Sequence, residues 1–78
     1  MRTRARVEGV VQGVGFRPFV HRLAGELALD GFVLNDERGV LVEVQGDPDQ
    51  VARFLTRLRD DAPPLAIVER VLAEDVAP

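Results

Sequence analysis

The first residues of the chain alternate between two kinds of side chain, and this alternation predicts a β-strand. From Arg2 to Gln12, four charged residues alternate with small or apolar ones; the charged residues are Arg2, Arg4, Arg6 and Glu8. A period of two residues puts the two sets on opposite faces of a half-buried strand. We therefore predict a first strand over this stretch, with its apolar face towards a core.

A helical pattern follows this strand. Pro18 suits the first turn of a helix, because the amide hydrogen that proline lacks would have no partner there. Apolar residues then recur at spacings of three and four, which places them on one helix face; they are Phe19, Val20, Leu23, Ala24 and Leu27. The pair Asp30-Gly31 is typical of a helix end. The pattern predicts a first amphipathic helix that ends there.

The next stretch predicts a β-hairpin. Residues 32–35 form a short run that suits a strand, and Asp-Glu-Arg-Gly at residues 36–39 is typical of a turn. Residues 40–45 then alternate valine with other side chains, which is again the two-residue period of a strand. Two strands joined by a short turn pair in the antiparallel sense.

A second helix and a last strand complete the pattern. Asp47 stands before Pro48, with Gln50 three residues further on, which is the arrangement of an N-cap and a capping box. The apolar residues behind them have helical spacing, and Pro63-Pro64 ends the helix because proline lacks an amide hydrogen. A last strand is predicted near residues 67–72, where we place the end of the fold.

The order of the elements predicts a fold class. Strand, helix, strand, strand, helix, strand is typical of the α+β, ferredoxin-like split β-α-β arrangement (βαββαβ). We expect a four-stranded antiparallel sheet with both helices on one face, in one domain over residues 1–78. A helical crossover makes the first two strands parallel, so that they end at the same edge of the sheet. The loop after the first strand should therefore lie near Asn35.

Charge and composition exclude several function classes. A formal net charge of -3 does not favour nucleic-acid binding, which needs a basic face. The chain has no cysteine, so it folds without disulfides or thiolate-bound zinc, and this fits a reducing, cytoplasmic setting. No apolar run approaches the ~20 residues that span a bilayer, and there is no secretory signal pattern. We expect neither nucleic acid nor membrane as a partner.

The loop between the first strand and the first helix is the main candidate for chemistry. It reads Gln12, Gly13, Val14, Gly15, Phe16, Arg17. Two close glycines let successive amide hydrogens converge beside the positive end of a helix, which favours an anion. A strand-to-helix turn also needs glycine for steric reasons alone. Arg17 can offer its guanidinium fork to two phosphate oxygens, although a solvated or carboxylate-paired arginine is the alternative.

Asn35 is the second candidate, because asparagine is a poor strand former. Its side chain either begins the hairpin turn or orients a water towards a phosphoryl group, and the residue alone leaves both roles open.

His21 stands beside the apolar stripe of its helix and is expected to point to solvent. Acidic residues stand in turns and at a helix end without a spaced ligand set, and we expect no metal and no cofactor; they are Asp36, Glu37, Asp60 and Asp61. The four phenylalanines are expected in the core; they are Phe16, Phe19, Phe32 and Phe54.

Two separated motifs carry a family resemblance. The chain closely resembles the acylphosphatase family in two stretches. They are residues 9–17, Gly-Val-Val-Gln-Gly-Val-Gly-Phe-Arg, and residues 31–35, Gly-Phe-Val-Leu-Asn. This resemblance implies an enzyme that hydrolyses acyl phosphates without a metal or a covalent nucleophile. The loop amides of residues 12–17 and the Arg17 side chain would hold the phosphoryl group, and Asn35 would orient the attacking water. Leu34 departs from the family pattern, which usually has arginine or another polar residue there.

A second resemblance is more specific. The chain resembles the N-terminal domain of the NiFe hydrogenase maturation carbamoyltransferases in three places: residues 16–20, Asn35-Asp36 and residues 63–66. In that family the domain acts on carbamoyl phosphate, and later zinc-finger and nucleotide-binding domains use ATP to pass the carbamoyl group to a partner's cysteine for cyanide ligand synthesis. The resemblance implies an excised domain of a longer enzyme. A free-standing acylphosphatase and a phosphate-binding module without turnover are the alternatives.

Overall fold

Six elements follow one another in the predicted order in a computed structural model that describes all 78 residues. The strands are β1 (Arg2–Val10), β2 (Asp30–Asp36), β3 (Gly39–Gln45) and β4 (Ile67–Val76); the helices are α1 (Phe16–Glu26) and α2 (Pro48–Asp60). The strands form one sheet in the order β2-β3-β1-β4, and each neighbouring pair is antiparallel. This topology confirms the α+β ferredoxin-like arrangement.

The core lies between one face of the sheet and the two helices. Alternate residues of β1 and β3 are buried there, because successive side chains of a strand point to opposite faces. They meet the apolar stripes of α1 and α2, and the cluster has fifteen buried members. The largest fully buried side chains are Phe16, Phe54, Leu23, Leu58, Val7, Val11, Val40, Val42 and Val51. Both helix stripes therefore pack on the sheet as their spacing predicts.

Phe32 corrects the prediction that all four phenylalanines lie in the core. Its side chain is 41% exposed, whereas Phe16, Phe19 and Phe54 are buried as predicted. The neighbouring Val33 packs against the core cluster, so Phe32 must point to the opposite, helix-free face of the sheet. There it stands across from Glu43 in the β2–β3 register. The alternation of side chains along β2 decides which face of the sheet Phe32 points to, and its hydrophobicity does not.

Helix α1 ends earlier than the sequence predicts. The amides of Ala28 and Leu29 donate to the carbonyls of Gly25 and Ala24, at 3.2 and 2.9 Å. This is the pair of bonds that defines a Schellman C-cap, and it places Ala28 in the left-handed region, with φ of 55°. Asp30-Gly31, predicted as the helix end, already belongs to β2. An alanine at this position gives no sequence signal of a helix end, because glycine or asparagine is usual there.

Replacing Ala28 with glycine is expected to stabilise the protein. Alanine in the left-handed region carries a steric cost of roughly 1–2 kcal/mol, and glycine removes it while adding some unfolded-state entropy. We expect Ala28→Gly to raise the free energy of unfolding by about 0.5–1 kcal/mol, measured by urea denaturation.

Gly25→Ala, in the last turn of the same helix, makes the opposite exchange of residue types. Alanine is the better helix former, and an added Cβ at this position would meet no neighbouring atom, so this variant should also be more stable than the parent. If glycine stabilises the protein at residue 28 and alanine stabilises it at residue 25, the backbone is left-handed at residue 28 and helical at residue 25. A loss of stability in Ala28→Gly would contradict the left-handed assignment.

Helix α2 begins as predicted, with one difference in its cap. The Asp47 carboxylate accepts a hydrogen bond from the Asp49 amide at 2.9 Å, and Pro48 occupies the first turn. That bond comes from the second residue of the helix and not from the third, Gln50, whose side chain makes no hydrogen bond back to Asp47, so the predicted capping box does not form. Neither helix has the length and apolar character needed to cross a membrane.

Strand β4 corrects the predicted end of the fold near Leu72. It continues to Val76, which pairs with Arg2 at the far end of β1. Glu74 and Asp75 are poor strand formers, so the sequence alone ends the strand too early. In the structure, β1 pairs with β4 along its whole length, and the Thr3 hydroxyl contacts the Asp75 carboxylate at 3.3 Å. Pairing between the strands overrides local propensity here.

Candidate active site

The start of helix α1 lacks the side-chain cap that most helices have. Its N-cap is Gly15, which has a left-handed backbone with φ of 80° and no side chain to accept a hydrogen bond. The first turn also contains no acidic residue. Helix α2, by contrast, is capped by Asp47. The positive end of the α1 dipole is thus left without a negative group of the protein.

The backbone amides of the loop that leads into α1 also lack hydrogen-bond partners within the protein. No amide from Gly13 to Arg17 donates a hydrogen bond to another group of the protein. Gly13 and Gly15 both have positive φ, of 72° and 80°, which turns the chain tightly enough to group these donors. Unpaired amides beside a helix N-terminus form a ready-made site for an anion.

A surface depression of about 350 Å³ brings this loop together with the end of β2. Its walls come from the loop, the first turn of α1 and one residue of β2; the lining residues are Val11, Gly13, Gly15, Phe16, Arg17, Pro18 and Asn35. The shared sheet edge of two parallel strands explains the meeting, since β3 runs between β1 and β2. The structure therefore places both predicted catalytic residues, Arg17 and Asn35, at one depression.

Arg17 is free to bind a ligand from this position. Its side chain is exposed, and no carboxylate lies within salt-bridge distance of it. Six other arginines are paired with carboxylates; they are Arg2, Arg4, Arg6, Arg38, Arg57 and Arg70. This excludes the carboxylate-paired alternative for Arg17. A guanidinium at the positive end of a helix favours the presence of an anion between them.

Asn35 is equally free, because the residue after it makes the turn. The Asp36 carboxylate accepts a hydrogen bond from the Arg38 amide at 2.8 Å, which is the usual side-chain bond of an Asx turn. The Asn35 side chain makes no hydrogen bond within the protein. The turn-initiating role that the sequence left open for Asn35 thus belongs to Asp36, and the Asn35 amide remains available to the depression.

Gln12 and Val14 are the two residues of the predicted phosphate loop that do not line the depression. The Gln12 side-chain amide donates to the backbone carbonyls of Asp36 and Gly39, the last of these at 2.9 Å. Both carbonyls belong to the β2–β3 turn. The side chain of Gln12 therefore fastens the loop to the hairpin and is not available to a ligand.

An ion pair on the helix-free face of the sheet supports the same turn. Nη1 of Arg6 contacts both carboxylate oxygens of Asp36 at 2.8 Å. Strand β3 separates the two residues, but Gly39, which stands opposite Asp36 in the register, has no side chain to intervene. The hydrogen bonds from Arg6 and from the Arg38 amide lower the pKa of the Asp36 carboxyl below its ordinary value. Sequence reasoning missed this pair, because its members come from strands that are not neighbours.

The lowered pKa of Asp36 makes one contribution to stability dependent on pH. A carboxyl whose pKa is lower in the folded than in the unfolded chain stabilises the fold above the unfolded value, about 3.9, and loses this effect as pH falls through the folded value. We expect Asp36→Asn to be less stable than the parent by a constant amount from about pH 7 to pH 5, with the difference shrinking below about pH 4. Urea denaturation across this range measures it. Glu37→Gln, which alters an adjacent acid without a partner, should cost little at neutral pH, and a constant Asp36→Asn deficit down to strong acid would contradict the assignment.

His21, the only histidine, is exposed, as its position beside the apolar stripe predicts. It lines a groove between α1 and β2, together with Ala24 and Val33, and it lies outside the depression of Arg17. The side chain of His21 is therefore not among the groups that line that depression. The groups there that could bind or orient a ligand are the loop amides, Arg17 and Asn35.

Comparison with known proteins decides the family. The acylphosphatase family model matches residues 3–78, which is almost the whole chain. The chain belongs to the acylphosphatase family. A free-standing acylphosphatase of Thermotoga maritima is 42% identical over 76 residues, covering 96% of this chain and 83% of that protein. The crystal structure of the acylphosphatase from Bacillus subtilis superimposes with a TM-score of 0.89 at 31% identity, covering 94% of this chain and 81% of that one.

Acylphosphatase domains of much larger proteins are also similar to this chain. The carbamoyltransferase HypF2 of Cupriavidus necator is 56% identical over 77 residues, covering 99% of this chain and 10% of that protein. A crystal structure of full-length HypF in a phosphate- and nucleotide-bound form superimposes with a TM-score of 0.93 at 32% identity, covering 96% of this chain and 10% of that one. The chain thus spans about a tenth of the length of the carbamoyltransferases that it matches.

Proposed function

We propose that this acylphosphatase domain hydrolyses acyl phosphates at the depression between the loop and β2. One observation carries the proposal: unpaired amides, an unpaired arginine and an unpaired asparagine, from two parallel strands and a helix, line the same concave surface. Each group could be explained alone by an ordinary structural role. Their convergence, with none of them satisfied within the protein, fits a ligand that accepts hydrogen bonds from all of them.

The amides of Gly13 to Arg17 and the guanidinium of Arg17 would bind the phosphoryl oxygens. Fixed donors around this group stabilise the charge that develops on its oxygens during transfer, and they need no reorganisation when the reaction occurs. Asn35, on the opposite wall, would hold a water in line with the scissile bond through its side-chain amide. This division of roles explains why the site needs both an anion cradle and one neutral polar side chain.

The reaction balances without a further catalytic group of the protein. The water oxygen forms a bond to phosphorus as the bond from phosphorus to the acyl oxygen breaks, and the electron pair leaves on the carboxylate. One water proton stays on the phosphate and the other goes to solvent or product, according to the pH. A carboxylate is a good leaving group, so no general acid is needed to protonate it.

We propose carbamoyl phosphate as the substrate in a longer carbamoyltransferase, of which this would be the N-terminal domain. The 56% identity to the HypF2 carbamoyltransferase supports this choice over a free-standing enzyme, since the identity to the acylphosphatase of T. maritima is 42%. Downstream domains of such an enzyme would be the partners that receive the carbamoyl group. Leu34, the departure from the family pattern, faces away from the depression and pairs with Leu41, so it would leave the phosphate site itself unchanged.

Phosphate release from two substrates tests this function. The purified chain is incubated with carbamoyl phosphate and with benzoyl phosphate, and free phosphate is followed against spontaneous breakdown. We expect release above the spontaneous rate with both substrates, and a higher kcat/KM for carbamoyl phosphate if the domain serves a carbamoyltransferase. Faster turnover of benzoyl phosphate would favour a free-standing acylphosphatase. No release with either substrate would refute hydrolysis by this chain and leave a phosphate-binding module.

A further inference from the structure

The last two residues of β2 point to opposite faces of the sheet. Asn35 shares the helix side with Val33, and its side chain reaches the depression. Asp36, the next residue, points to the helix-free side and meets Arg6 there. One peptide unit joins the two residues, so a restraint on the backbone of Asp36 also limits where Asn35 can lie. A catalytic group and an anchored group are therefore neighbours in the chain but lie on different surfaces.

Asp36 is the most heavily restrained residue of the β2–β3 turn. Its two carboxylate oxygens accept from Arg6, one of them also accepts from the Arg38 amide, and its carbonyl accepts from the Gln12 side chain. The Arg6 side chain is only 18% exposed, whereas Arg70, which pairs with a glutamate on the same face of the sheet, is 65% exposed. A shielded pair with several hydrogen bonds fixes a position more firmly than a freely solvated ion pair would.

The same turn is tied to the phosphate loop. Gln12, the residue before Gly13, bonds the carbonyls of Asp36 and Gly39. Pairing of β1 and β2 with β3 sets the overall spacing between the loop and Asn35, and two side-chain connections add to it at Asp36: Gln12 from the loop and Arg6 from the middle of β1. Neither connection lies in the depression itself. A water held by Asn35 must be placed accurately against a phosphoryl group held by the loop, so this spacing controls the chemical step.

We propose that Arg6 and Asp36 are positioning residues of the hydrolytic site, whose ion pair holds Asn35 at the correct distance from the phosphate loop. This inference rests on the proposed function and extends it to a pair on the far side of the sheet. Neither Arg6 nor Asp36 lines the depression, so neither would touch the substrate or the attacking water there. Their loss should slow the chemical step, because Asn35 is displaced, while the loop and Arg17 still bind phosphate.

Kinetics of single and double variants test the proposal. We expect Arg6→Gln and Asp36→Asn each to lower kcat with carbamoyl phosphate by about tenfold or more per folded molecule, with little change in KM or in the affinity for inorganic phosphate. The double variant should lose no more than either single one, since the two side chains act as a unit. Arg6→Lys, which retains the charge, should recover part of kcat.

Arg57→Gln is the matched control. Arg57 also binds two carboxylate oxygens, those of Glu26 and Asp61 at 3.1 and 2.7 Å, but it joins the two helices away from the site. This variant should cost stability without lowering kcat. Losses of kcat in Arg6→Gln and Asp36→Asn that match those in Arg57→Gln, or that multiply in the double variant, would overturn the proposal.

A second readout does not depend on turnover. In the parent, addition of inorganic phosphate should shift the side-chain amide resonances of Asn35 along with the loop amides in heteronuclear NMR spectra. We expect the Asn35 response to be lost or much reduced in Asp36→Asn and retained in Arg57→Gln, while the loop amides respond in both. An unchanged Asn35 response in Asp36→Asn would overturn the positioning role. If the parent released no phosphate from carbamoyl phosphate, the proposed hydrolysis would be refuted. The NMR measurement would still decide whether Asp36 positions Asn35.

Discussion

Asn35→Ala is expected to abolish most hydrolysis while leaving phosphate binding nearly intact. The Asn35 side chain makes no hydrogen bond within the protein and lies at the depression, so its removal should cost the fold little and take away the group that we propose orients water. Loss of one preorganised hydrogen-bonding group at a reacting centre lowers kcat by roughly 10²–10³-fold. Phosphate release from carbamoyl phosphate measures kcat, and calorimetric titration with inorganic phosphate measures binding.

Asn35→Asp sharpens the same test. The shape of the side chain is kept, but a carboxylate near the phosphoryl oxygens repels them, so this variant should lose phosphate affinity as well as turnover. If Asn35→Ala weakened phosphate binding as strongly as turnover, the side chain would be a ligand of the phosphoryl group and the role assigned to it would be wrong.

Arg17→Ala is expected to weaken both binding and turnover, and to have the largest effect of any single change. Arg17 is the unpaired arginine at the mouth of α1, and a hydrogen-bonded charge of this kind contributes about 1.5–3 kcal/mol to binding, or roughly 10–150-fold in phosphate affinity. Because charge on the phosphoryl oxygens is also stabilised in the transition state, kcat/KM should fall by roughly 10³-fold or more. The same two assays give both values.

The matched control for Arg17 is Arg53→Ala. Arg53 is an exposed arginine of α2 that has no carboxylate partner and does not line the depression. Its loss removes the same net charge, so it separates general attraction of an anionic substrate from specific binding. Equal losses of kcat/KM in the two variants would show that Arg17 acts only through the charge of the whole molecule.

Much of the fold follows from periodicity in the sequence. The two-residue period of β1 and β3 and the apolar stripes of both helices correctly predict which faces are buried. The predictions fail where local signals are weak or ambiguous. Phe32 is apolar but lies on the helix-free face, and Ala28 ends a helix in a conformation that its residue type does not favour. Both outcomes depend on neighbours that a single stretch of sequence does not contain.

The candidate site, too, could be predicted only in part from the sequence. Glycine spacing, the helix start and the parallel direction of two strands are enough to predict that Arg17 and Asn35 meet. The anchoring of Asp36 could not be predicted, because Arg6 stands on β1 with β3 between them, and an acid in a turn has an ordinary explanation. One signal was present: the charged positions of β1 fall on one face, and the alternation of β2 places Asp36 on that face once Asn35 is assigned to the site.

A phosphate titration followed through backbone amide resonances shows whether the unpaired amides from Gly13 to Arg17 form the anion site. We expect saturable shifts confined to residues 13–17 and the end of β2, with amides of α2 and β4 unaffected. The same titration of Arg17→Ala should require much higher phosphate concentrations. Shifts centred instead on the arginine-rich, helix-free face around Arg4 and Arg38, with the loop amides unchanged, would contradict an anion site at the start of α1.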